Sequence, residues 1–357
     1  MPIVDADTHV DETERTWMFA RPDETPLMPI TLTPPETQSF VPGDARAHRL
    51  WMYSGEFRLR RFRDDVRTGT TQATRELLDV PARLRQMDEL GVDVQVMYPT
   101  MFLTSPSARA EVELALFRSY NRWLAEATKE SGGRLRWVAM VPQLSMDEAI
   151  QEIRFAKENG ACGLLKKGIE CGDRVASDPY FHPLYEEAER LDLPICIHTG
   201  NGDPSKPDTS ATFRTAPQRV SLPVLAAFSS LIIDRVPDKF PRLRFGFIEA
   251  GASWIPYLIH DLQAKATRQS SIGLNLRDDL LRSSRFYVTC DTMDDLPYIL
   301  SYGAEDSLMV GSDYGHADQS AEIDAPKNIL RMAEAGRISH AIAEKIVDSN
   351  ARRFYAL

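Results

Sequence analysis

The amino-acid sequence predicts an α/β fold of the (β/α)8 TIM-barrel type. Short runs of β-branched or aliphatic residues alternate with longer segments of helical periodicity, a pattern typical of parallel strands joined by crossover helices. Eight such runs occur, and eight strand–helix units are the number that closes a barrel. Polar residues also collect where several of these runs end. The runs cover residues 3–7, 92–98, 135–141, 161–167, 194–198, 243–249, 285–290 and 307–312.

Helical patterns fill the segments between the runs. Gly160 follows one of them and is suited to the C-terminus of a helix, because glycine adopts a left-handed conformation at little cost. Pro183 lies in the first turn of another, where its missing N–H does no harm. The predicted helices cover residues 108–131, 146–159, 181–191 and 338–354.

The longest irregular segment, residues 10–80, is an insertion after the first strand. It is proline-rich in its first half, and so long a connection is either disordered or a lid over the catalytic face. Four aromatic residues favour an ordered lid, because disordered segments are usually poor in aromatic side chains. They are Trp51, Tyr53, Phe57 and Phe62. The chain shows no internal repeat and no separating linker, so we expect one domain over residues 1–357.

Composition narrows the class of protein. The chain has 357 residues and a formal net charge of −10, which argues against general binding to nucleic acid or to an anionic membrane. It has no apolar run of about 18 residues that would span a bilayer, and its start does not resemble a secretory signal. We therefore expect a cytoplasmic enzyme with a small-molecule substrate. Of the four cysteines, Cys162, Cys196 and Cys290 lie in apolar runs and are predicted to be buried thiols.

Residues that could bind a metal end four of the predicted strands. Asp7 and His9 lie two positions apart on the first, so strand alternation places both side chains on one side, together with that of Asp5. His198 ends the fifth strand, Glu249 the sixth, and Asp313 follows the eighth. In a TIM barrel these strand ends meet at one face. Imidazoles and carboxylates together suit zinc, manganese or iron, so we expect one divalent ion held by Asp7, His9, His198 and Asp313.

Each of these residues also has an ordinary structural interpretation. An Asp-x-His pair can be a local hydrogen-bonding pair, and Asp313 can cap the segment that follows it. Glu249 can be a buried acid, a metal ligand or a general acid/base, and the sequence alone leaves the three open.

Further residues are candidates for substrate binding. Lys166 and Lys167 end the fourth strand, with one side chain directed to the barrel mouth and the other to the helices. We take Lys166 as a candidate for binding a substrate carboxylate. Arg61 in the insertion, Arg214 in the loop after the fifth strand, and His316 near Asp313 are candidates for the same function.

The chain resembles the amidohydrolase-related family that includes aminocarboxymuconate-semialdehyde decarboxylase and the resorcylate, dihydroxybenzoate and carboxyvanillate decarboxylases. The resemblance extends over nearly the whole chain. The segments on which it rests are LRQMDELGVDVQVMYPT (84–100), YNRWLAE (120–126), DPYFHPLYEEAERLDLPICIHTG (178–200), FPRLRFGFIEAGASWIP (240–256), GSDYGH (311–316) and NARRFYAL (350–357). The resemblance implies a barrel of the amidohydrolase type, metal ligands at Asp7, His9, His198 and Asp313, and often a homodimer.

One departure from the family concerns the sixth strand. The family's decarboxylases usually carry there a histidine that delivers a proton, whereas this chain has Glu249 in IEAGASW. The resemblance implies a metal-dependent, non-oxidative decarboxylase of an aromatic or unsaturated carboxylic acid, with the proton supplied by Asp313 or Glu249. The alternative is a hydrolase in which a metal-bound hydroxide attacks an ester, lactone, amide or activated C–C bond. A third hypothesis, a catalytically inactive binding protein, predicts a broken ligand set, which this chain does not have.

Overall fold

A computed structural model of the chain contains one eight-stranded parallel sheet. The structure describes residues 1–32, 49–60, 63–200, 222–268, 276, 279–317 and 320–357. The strands neighbour one another in chain order from first to last, with helices between them, so they form the predicted (β/α)8 barrel. We number them β1 (Val4–Val10), β2 (Val94–Pro99), β3 (Leu135–Met140), β4 (Ala161–Lys166), β5 (Ile195–His198), β6 (Phe245–Ile248), β7 (Phe286–Cys290) and β8 (Leu308–Val310).

The barrel closes between β1 and the residues that follow β8. The backbone N–H of Asp313 donates to the carbonyl of Asp7 at 3.0 Å, and the N–H of His9 donates to the carbonyl of Tyr314 at 2.8 Å. The Asp5 carboxylate adds two side-chain bonds, accepting from the N–H and the hydroxyl of Ser312 at 2.9 and 2.5 Å. This seam holds the first strand and the end of the last strand in a fixed position.

The helices occupy the predicted segments, with ends shifted by a few residues. Gly160 has φ +87°, so it lies directly past its helix in the left-handed conformation expected there. The predicted C-terminal helix consists of two α-helical pieces joined by a turn of π-helix, Lys345–Ser349. The α-helices are Asp65–Thr68, Gln72–Arg75, Val80–Leu90, Ala110–Ala127, Met146–Glu158, His182–Arg190, Leu222–Ile233, Val236–Lys239, Ile255–Arg268, Leu280–Ser283, Leu296–Leu300, Ala325–Glu334, His340–Glu344 and Asn350–Tyr355. No helix in the described ranges has both the length and the apolar composition that a bilayer crossing requires.

The described part of the insertion is folded against the barrel. Three antiparallel strands form a small sheet there, Ile30–Leu32, Arg49–Tyr53 and Glu56–Arg60. Trp51 and Tyr53 are buried, and the Tyr53 hydroxyl donates to the carbonyl of Pro106 at 3.1 Å. Phe57 is exposed, and Phe62 lies outside the described residues. Aromatic side chains therefore anchor this sheet to the segment that follows β2.

The barrel core is apolar and closely packed. Cys162, Cys196 and Cys290 are buried free thiols, as predicted from their apolar surroundings. Gly246 in the middle of β6 leaves room for the ring of Phe354 from the last helix. A Cβ atom at this position would lie 2.3 Å from the nearest ring carbon, well inside van der Waals contact. The C-terminal helix therefore packs against the barrel through a contact that only glycine permits.

We predict that Gly246→Ala lowers the free energy of unfolding by about 1–3 kcal/mol, because the added methyl group overpacks the Phe354 ring. Urea denaturation monitored by circular dichroism measures this change. Phe354→Leu serves as the second arm of a double-mutant cycle, since it removes the ring atoms that the methyl group meets. The two losses should not add in the double variant, and additive losses would contradict the packing argument.

Candidate metal centre

The predicted ligands converge at the C-terminal edge of the barrel. Asp7 and His9 lie on β1, and His198 is the last residue of β5. Glu249 directly follows β6, and Asp313 is the third residue past β8. Four of the five are almost fully buried, and Glu249 is partly buried. The fold therefore brings together residues that are more than 300 positions apart in the chain.

The donor atoms lie at distances that suit one ion. His198 Nε2 lies 3.4 Å from Asp7 Oδ1 and 3.3 Å from Glu249 Oε2. His9 Nε2 lies 3.5 Å from Asp7 Oδ1, 3.7 Å from Glu249 Oε2 and 3.3 Å from Asp313 Oδ1. Four ligands at about 2.1 Å from a tetrahedral ion are themselves separated by about 3.4 Å. The observed separations therefore match a single coordinated ion better than direct ion pairs.

The hydrogen-bonding state of these atoms supports the same conclusion. Within the described part of the chain, Asp7 Oδ1, His9 Nε2, His198 Nε2 and Glu249 Oε2 are buried and have no hydrogen-bond partner. Buried polar atoms without partners are rare, because leaving them so costs free energy. Here one buried atom from each of four residues faces the same small space, and all four atoms lie within 4.8 Å of one another. These residues fit a divalent metal ion.

The other nitrogen of each histidine fixes the orientation of the ring. His9 Nδ1 lies 2.9 Å from the carbonyl oxygen of Pro99, and His198 Nδ1 lies 2.8 Å from that of Thr199. A carbonyl can only accept, so Nδ1 carries a hydrogen in both rings, and Nε2 is the nitrogen that faces the centre of the site. An imidazole that binds a metal through Nε2 is oriented in this way by its second hydrogen bond.

The electrostatics of the metal-free protein reflect crowded carboxylates. Burial alone would lower the pKa of His9, but Asp7, Glu249 and Asp313 raise it well above its ordinary value. Burial alone would raise the pKa of Asp7, but the neighbouring imidazoles of His198 and His9 lower it. The site therefore stabilises positive charge at its centre, which a divalent cation supplies most directly.

The two ligand candidates outside the strands have strained backbones. Glu249 has φ +55° and Asp313 has φ +52°, both in the left-handed region. This conformation costs an L-residue roughly 1–2 kcal/mol. Hydrogen bonds hold both positions: Glu249 N–H donates to Thr289 Oγ1 at 2.8 Å, and Asp313 N–H to the carbonyl of Asp7. Strain of this kind, held by surrounding bonds, is common at functional sites.

His316 lies against Asp313 rather than at the rim of the site. Its Nδ1 is 2.7 Å from Asp313 Oδ1, and its Nε2 is 3.0 Å from Thr100 Oγ1. The ring stacks on His9, with centroids 3.8 Å apart. His9, Glu249, Asp313 and His316 form a second group whose donor atoms lie within 4.8 Å of one another. The arrangement can hold a proton or orient the Asp313 carboxylate.

Several supporting residues could not be recognised from sequence. Arg83 is fully buried and donates to the carbonyl of His9 at 3.0 Å and to Thr8 Oγ1 at 3.3 Å. Ser320 Oγ donates to Glu249 Oε1 at 3.0 Å and lies 3.1 Å from Asp313 Oδ2. Neither residue belongs to a recognisable motif, and both act through contacts between distant segments. No signal in the sequence marks either of them.

Of the residues predicted to bind substrate, the structure describes Lys166 but not Arg61 or Arg214. Lys166 is fully buried, and its Nζ lies 2.5 Å from Glu170 Oε1 and 3.1 Å from Gln143 Oε1. The same Nζ lies 3.2 Å from the centroid of the Phe181 ring, at the start of a helix outside the barrel. Lys166 is therefore turned away from the metal centre. Arg61 and Arg214 lie outside the described residues.

Comparison with curated proteins identifies relatives with two kinds of activity. The chain is 24% identical over 253 residues to a 2-amino-3-carboxymuconate-6-semialdehyde decarboxylase of Dictyostelium discoideum, covering 66% of each chain. It is 32% identical over 139 residues to a gamma-resorcylate decarboxylase of Polaromonas sp., covering 36% of this chain and 42% of that protein. A 2-keto-4-carboxy-3-hexenedioate hydratase of Sphingobium sp. is 26% identical over 218 residues, covering 58% of this chain and 61% of that protein. The chain spans less than two thirds of each relative's length.

Solved structures agree on the fold. An amidohydrolase from Mycobacterium avium subsp. paratuberculosis superposes with a TM-score of 0.79 at 17% identity, covering 100% of this chain and 98% of that one. A 5-carboxyvanillate decarboxylase from Novosphingobium aromaticivorans, complexed with manganese and a nitrobenzoic acid, gives a TM-score of 0.62 at 21% identity, covering 78% and 81%. The family model for amidohydrolases matches residues 4–357. The chain therefore belongs to the amidohydrolase family and, as its sequence predicted, is an enzyme of that family.

Proposed function

We propose that this enzyme is a metal-dependent, non-oxidative decarboxylase of an aromatic or unsaturated carboxylic acid. The observation that carries the proposal is the convergence of four buried donor atoms, which have no hydrogen-bond partner among the residues that the structure describes, beside the Asp313–His316 pair. The first feature fits a metal ion and the second fits a proton donor. Decarboxylation without redox change requires those two functions and no further cofactor. The decarboxylases among the relatives support the same reaction class.

Four residues would hold the ion in this proposal. Asp7, His9, His198 and Glu249 offer two imidazole nitrogens and two carboxylate oxygens, a mixed set that suits zinc or manganese, with iron also compatible. When bound, a divalent ion polarises the substrate oxygens and neutralises the substrate carboxylate. The hydrogen bonds of His9 and His198 to backbone carbonyls keep both rings aimed at the centre.

Asp313 would supply the proton. The bond between the ring or vinyl carbon and the carboxylate breaks, carbon dioxide leaves, and the electron pair of that bond stays on the carbon. The Asp313 carboxyl delivers its proton to this carbon and becomes a carboxylate. His316, 2.7 Å away, can return a proton to Asp313, and Thr100 fixes the imidazole from its other side. Glu249 Oε2 lies 3.3 Å from His198 Nε2 and has no hydrogen-bond partner among the described residues, so we assign Glu249 to the ligands.

The insertion would cover this face of the barrel. Glu12 accepts from the N–H groups of Thr100 and Met101 at 3.1 and 2.9 Å, and the Thr100 hydroxyl also contacts His316. Asp11 pairs with Arg63 at 3.2 Å and with Arg75 at 3.3 Å. These contacts of the described residues support the proposal that the insertion of residues 10–80 is a lid within a single domain. Arg61 and Arg214 remain proposed contacts of the substrate.

A second candidate reaction is addition of water, either hydrolysis or hydration. The hydratase among the relatives favours it, as does the presence of Glu249 where the family's decarboxylases usually carry a histidine. The two reactions differ in the origin of the product's atoms. Turnover in labelled water distinguishes them, because only addition of water places its oxygen in the organic product.

We predict that His198→Ala removes most of the bound metal. Purified enzyme should carry near one equivalent of zinc, manganese or iron by plasma mass spectrometry, and the variant loses one of four ligands. His260→Ala is the matched control, because His260 packs against Tyr302 on the surface, away from the strand ends. Equal metal content in all three proteins would refute the assignment of the ligands.

We predict that Asp313→Asn lowers kcat for release of carbon dioxide by about 100-fold or more, because the amide cannot deliver a proton. Enzyme loaded with manganese or zinc is assayed with hydroxylated benzoates and muconate-like acids. Metal content should stay near one equivalent, since the four ligands remain. Asp23→Asn, at an exposed position, controls for the substitution itself. Full activity of the Asp313 variant would assign proton delivery to another group.

A further inference from the structure

Glu12 forms a buried bridge between the start of the insertion and the end of β2. It is the second residue past β1, and it is 4% exposed. Its two carboxylate oxygens accept separately, Oε1 from the N–H of Thr100 at 3.1 Å and Oε2 from the N–H of Met101 at 2.9 Å. The pairing of β1 with β2 ends at Val10 and Pro99. The carboxylate therefore joins the two chain segments beyond the point where their backbone pairing ends.

The two N–H groups compensate a carboxylate that burial disfavours. Burial raises the pKa of Glu12 to about 7, whereas the N–H groups of Met101 and Thr100 lower it. If the segment of residues 100–101 moved away, the carboxylate and both N–H groups would lose their partners inside the protein. Leaving buried polar groups unpaired costs free energy. The contact therefore holds this segment and Glu12 in a fixed relative position.

The segment held by Glu12 contacts Asp313 and His316, which we call the proton-delivery pair. Thr100 Oγ1 lies 3.0 Å from His316 Nε2, and His316 Nδ1 lies 2.7 Å from Asp313 Oδ1. One ring nitrogen of the imidazole thus faces the hydroxyl, and the other faces the carboxyl. A rotation of the backbone at Thr100 would move the hydroxyl away from the ring. The direction of the Thr100 hydroxyl therefore bears on how the imidazole meets Asp313.

Ring packing anchors the same segment but does not set this direction. Phe102 is fully buried, and its ring lies edge-on to those of Trp17, Phe117 and Tyr120, with centroids 6.1, 5.0 and 5.6 Å away. Apolar packing is non-directional, so these contacts fix how deeply the segment is buried. Hydrogen bonds are directional, and two of them from adjacent peptide groups fix how the backbone before Phe102 is rotated.

We propose that Glu12 is a positioning residue for the proton-delivery pair. Through two backbone N–H groups it sets the direction of the Thr100 hydroxyl, which holds the His316 imidazole against the Asp313 carboxyl. Because Glu12 lies at the start of the insertion of residues 10–80, the same path joins the insertion to the pair. The inference rests on the proposed function for the role of Asp313, but the path from Glu12 to His316 can be observed without turnover.

The first measurement observes the imidazole directly. Zinc-loaded enzyme with nitrogen-15-labelled histidine is studied by two-dimensional NMR, and the ring signals of His316 are assigned as those that His316→Gln removes. Thr100→Val removes the hydroxyl and should shift the Nε2 signal of His316. Glu12→Gln should shift this signal in the same direction. An amide NH2 cannot accept a hydrogen bond, so one of the two backbone N–H groups loses its acceptor in this variant.

The second measurement is the kinetics of carbon dioxide release. Glu12→Gln should lower kcat per bound zinc by roughly 10- to 100-fold, the loss expected when a reacting group is misplaced, and leave KM unchanged. Thr100→Val acts on the same path, so the double variant should be no slower than the slower of the two single variants. If Glu12→Gln does not fold, Glu12→Asp takes its place, since its carboxylate is held on a side chain shorter by one methylene group.

Glu113→Gln is the matched control. Glu113 is also 4% exposed, and it also accepts from a backbone N–H, that of Leu144 at 2.8 Å. Leu144 lies in the loop after β3, whereas the segment that contacts His316 follows β2. Glu113→Gln should therefore leave the His316 signals and kcat unchanged, whatever it does to the melting temperature. The comparison separates a general effect of altering a buried glutamate from the specific path through Thr100.

The outcomes separate the inference from the proposed function. A His316 signal that Glu12→Gln leaves in place overturns the inference, and decarboxylation stands if the wild type releases carbon dioxide. An equal shift in Glu113→Gln, or additive losses of kcat in the double variant, also overturns the inference. Shifts confined to the Glu12 and Thr100 variants, with no carbon dioxide released by the wild type from any acid, support the inference and remove decarboxylation.

Discussion

The constraint on which the site depends is the burial of three carboxylates in one small space. Asp7, Glu249 and Asp313 lie around His9. Backbone carbonyls hold the rings of His9 and His198 with Nε2 directed to the centre of the site. Charged groups this close repel one another unless a cation stands between them. The protein prevents the carboxylates from separating by placing them on barrel strands and on strained turns. The site is therefore organised before the ion binds, which lets the ion bind without reorganising the protein.

The same residues close the barrel and build the site. The backbone bond from Asp313 to Asp7 joins the end of β8 to β1, and the bond from His9 to Tyr314 lies next to it. Arg83 joins both sides of this seam: it donates to the carbonyl of His9, and its guanidinium stacks on the Tyr314 ring. A shift at this seam would move two ligand candidates at once. The geometry of the metal centre is thus coupled to the closure of the fold, and residues that never touch the ion can alter it.

The sequence predicted the barrel and most of the site because both follow from local patterns. Eight apolar runs indicate eight strands, and their C-terminal ends meet in any barrel of this kind, so Asp7, His9, His198, Glu249 and Asp313 could be grouped without a structure. The assumption that side chains alternate regularly along β1 was a less reliable guide to their positions. The pairing of β1 with β2 shifts between Asp5 and Thr8, and the Asp5 carboxylate binds Ser312 at the seam. Positive φ at Glu249 and the position of His316 depend on contacts between distant segments, which no local pattern encodes.

The two lysines at the end of β4 show where such reasoning reaches its limit. The sequence indicates that one of them faces the barrel mouth, but alternation alone does not say which, because a shift of one residue exchanges the two faces. Register with β5 answers the question for Lys166: it pairs with Ile197, whose neighbour His198 faces the metal centre, so the Lys166 side chain lies on the other side of the sheet. The contacts of the Lys166 side chain agree with this assignment. Lys166 forms an ion pair with Glu170, and its ammonium lies over the Phe181 ring. Neither contact could be predicted from the sequence, because the position of the Phe181 ring depends on how the segment before the next helix packs against the strand.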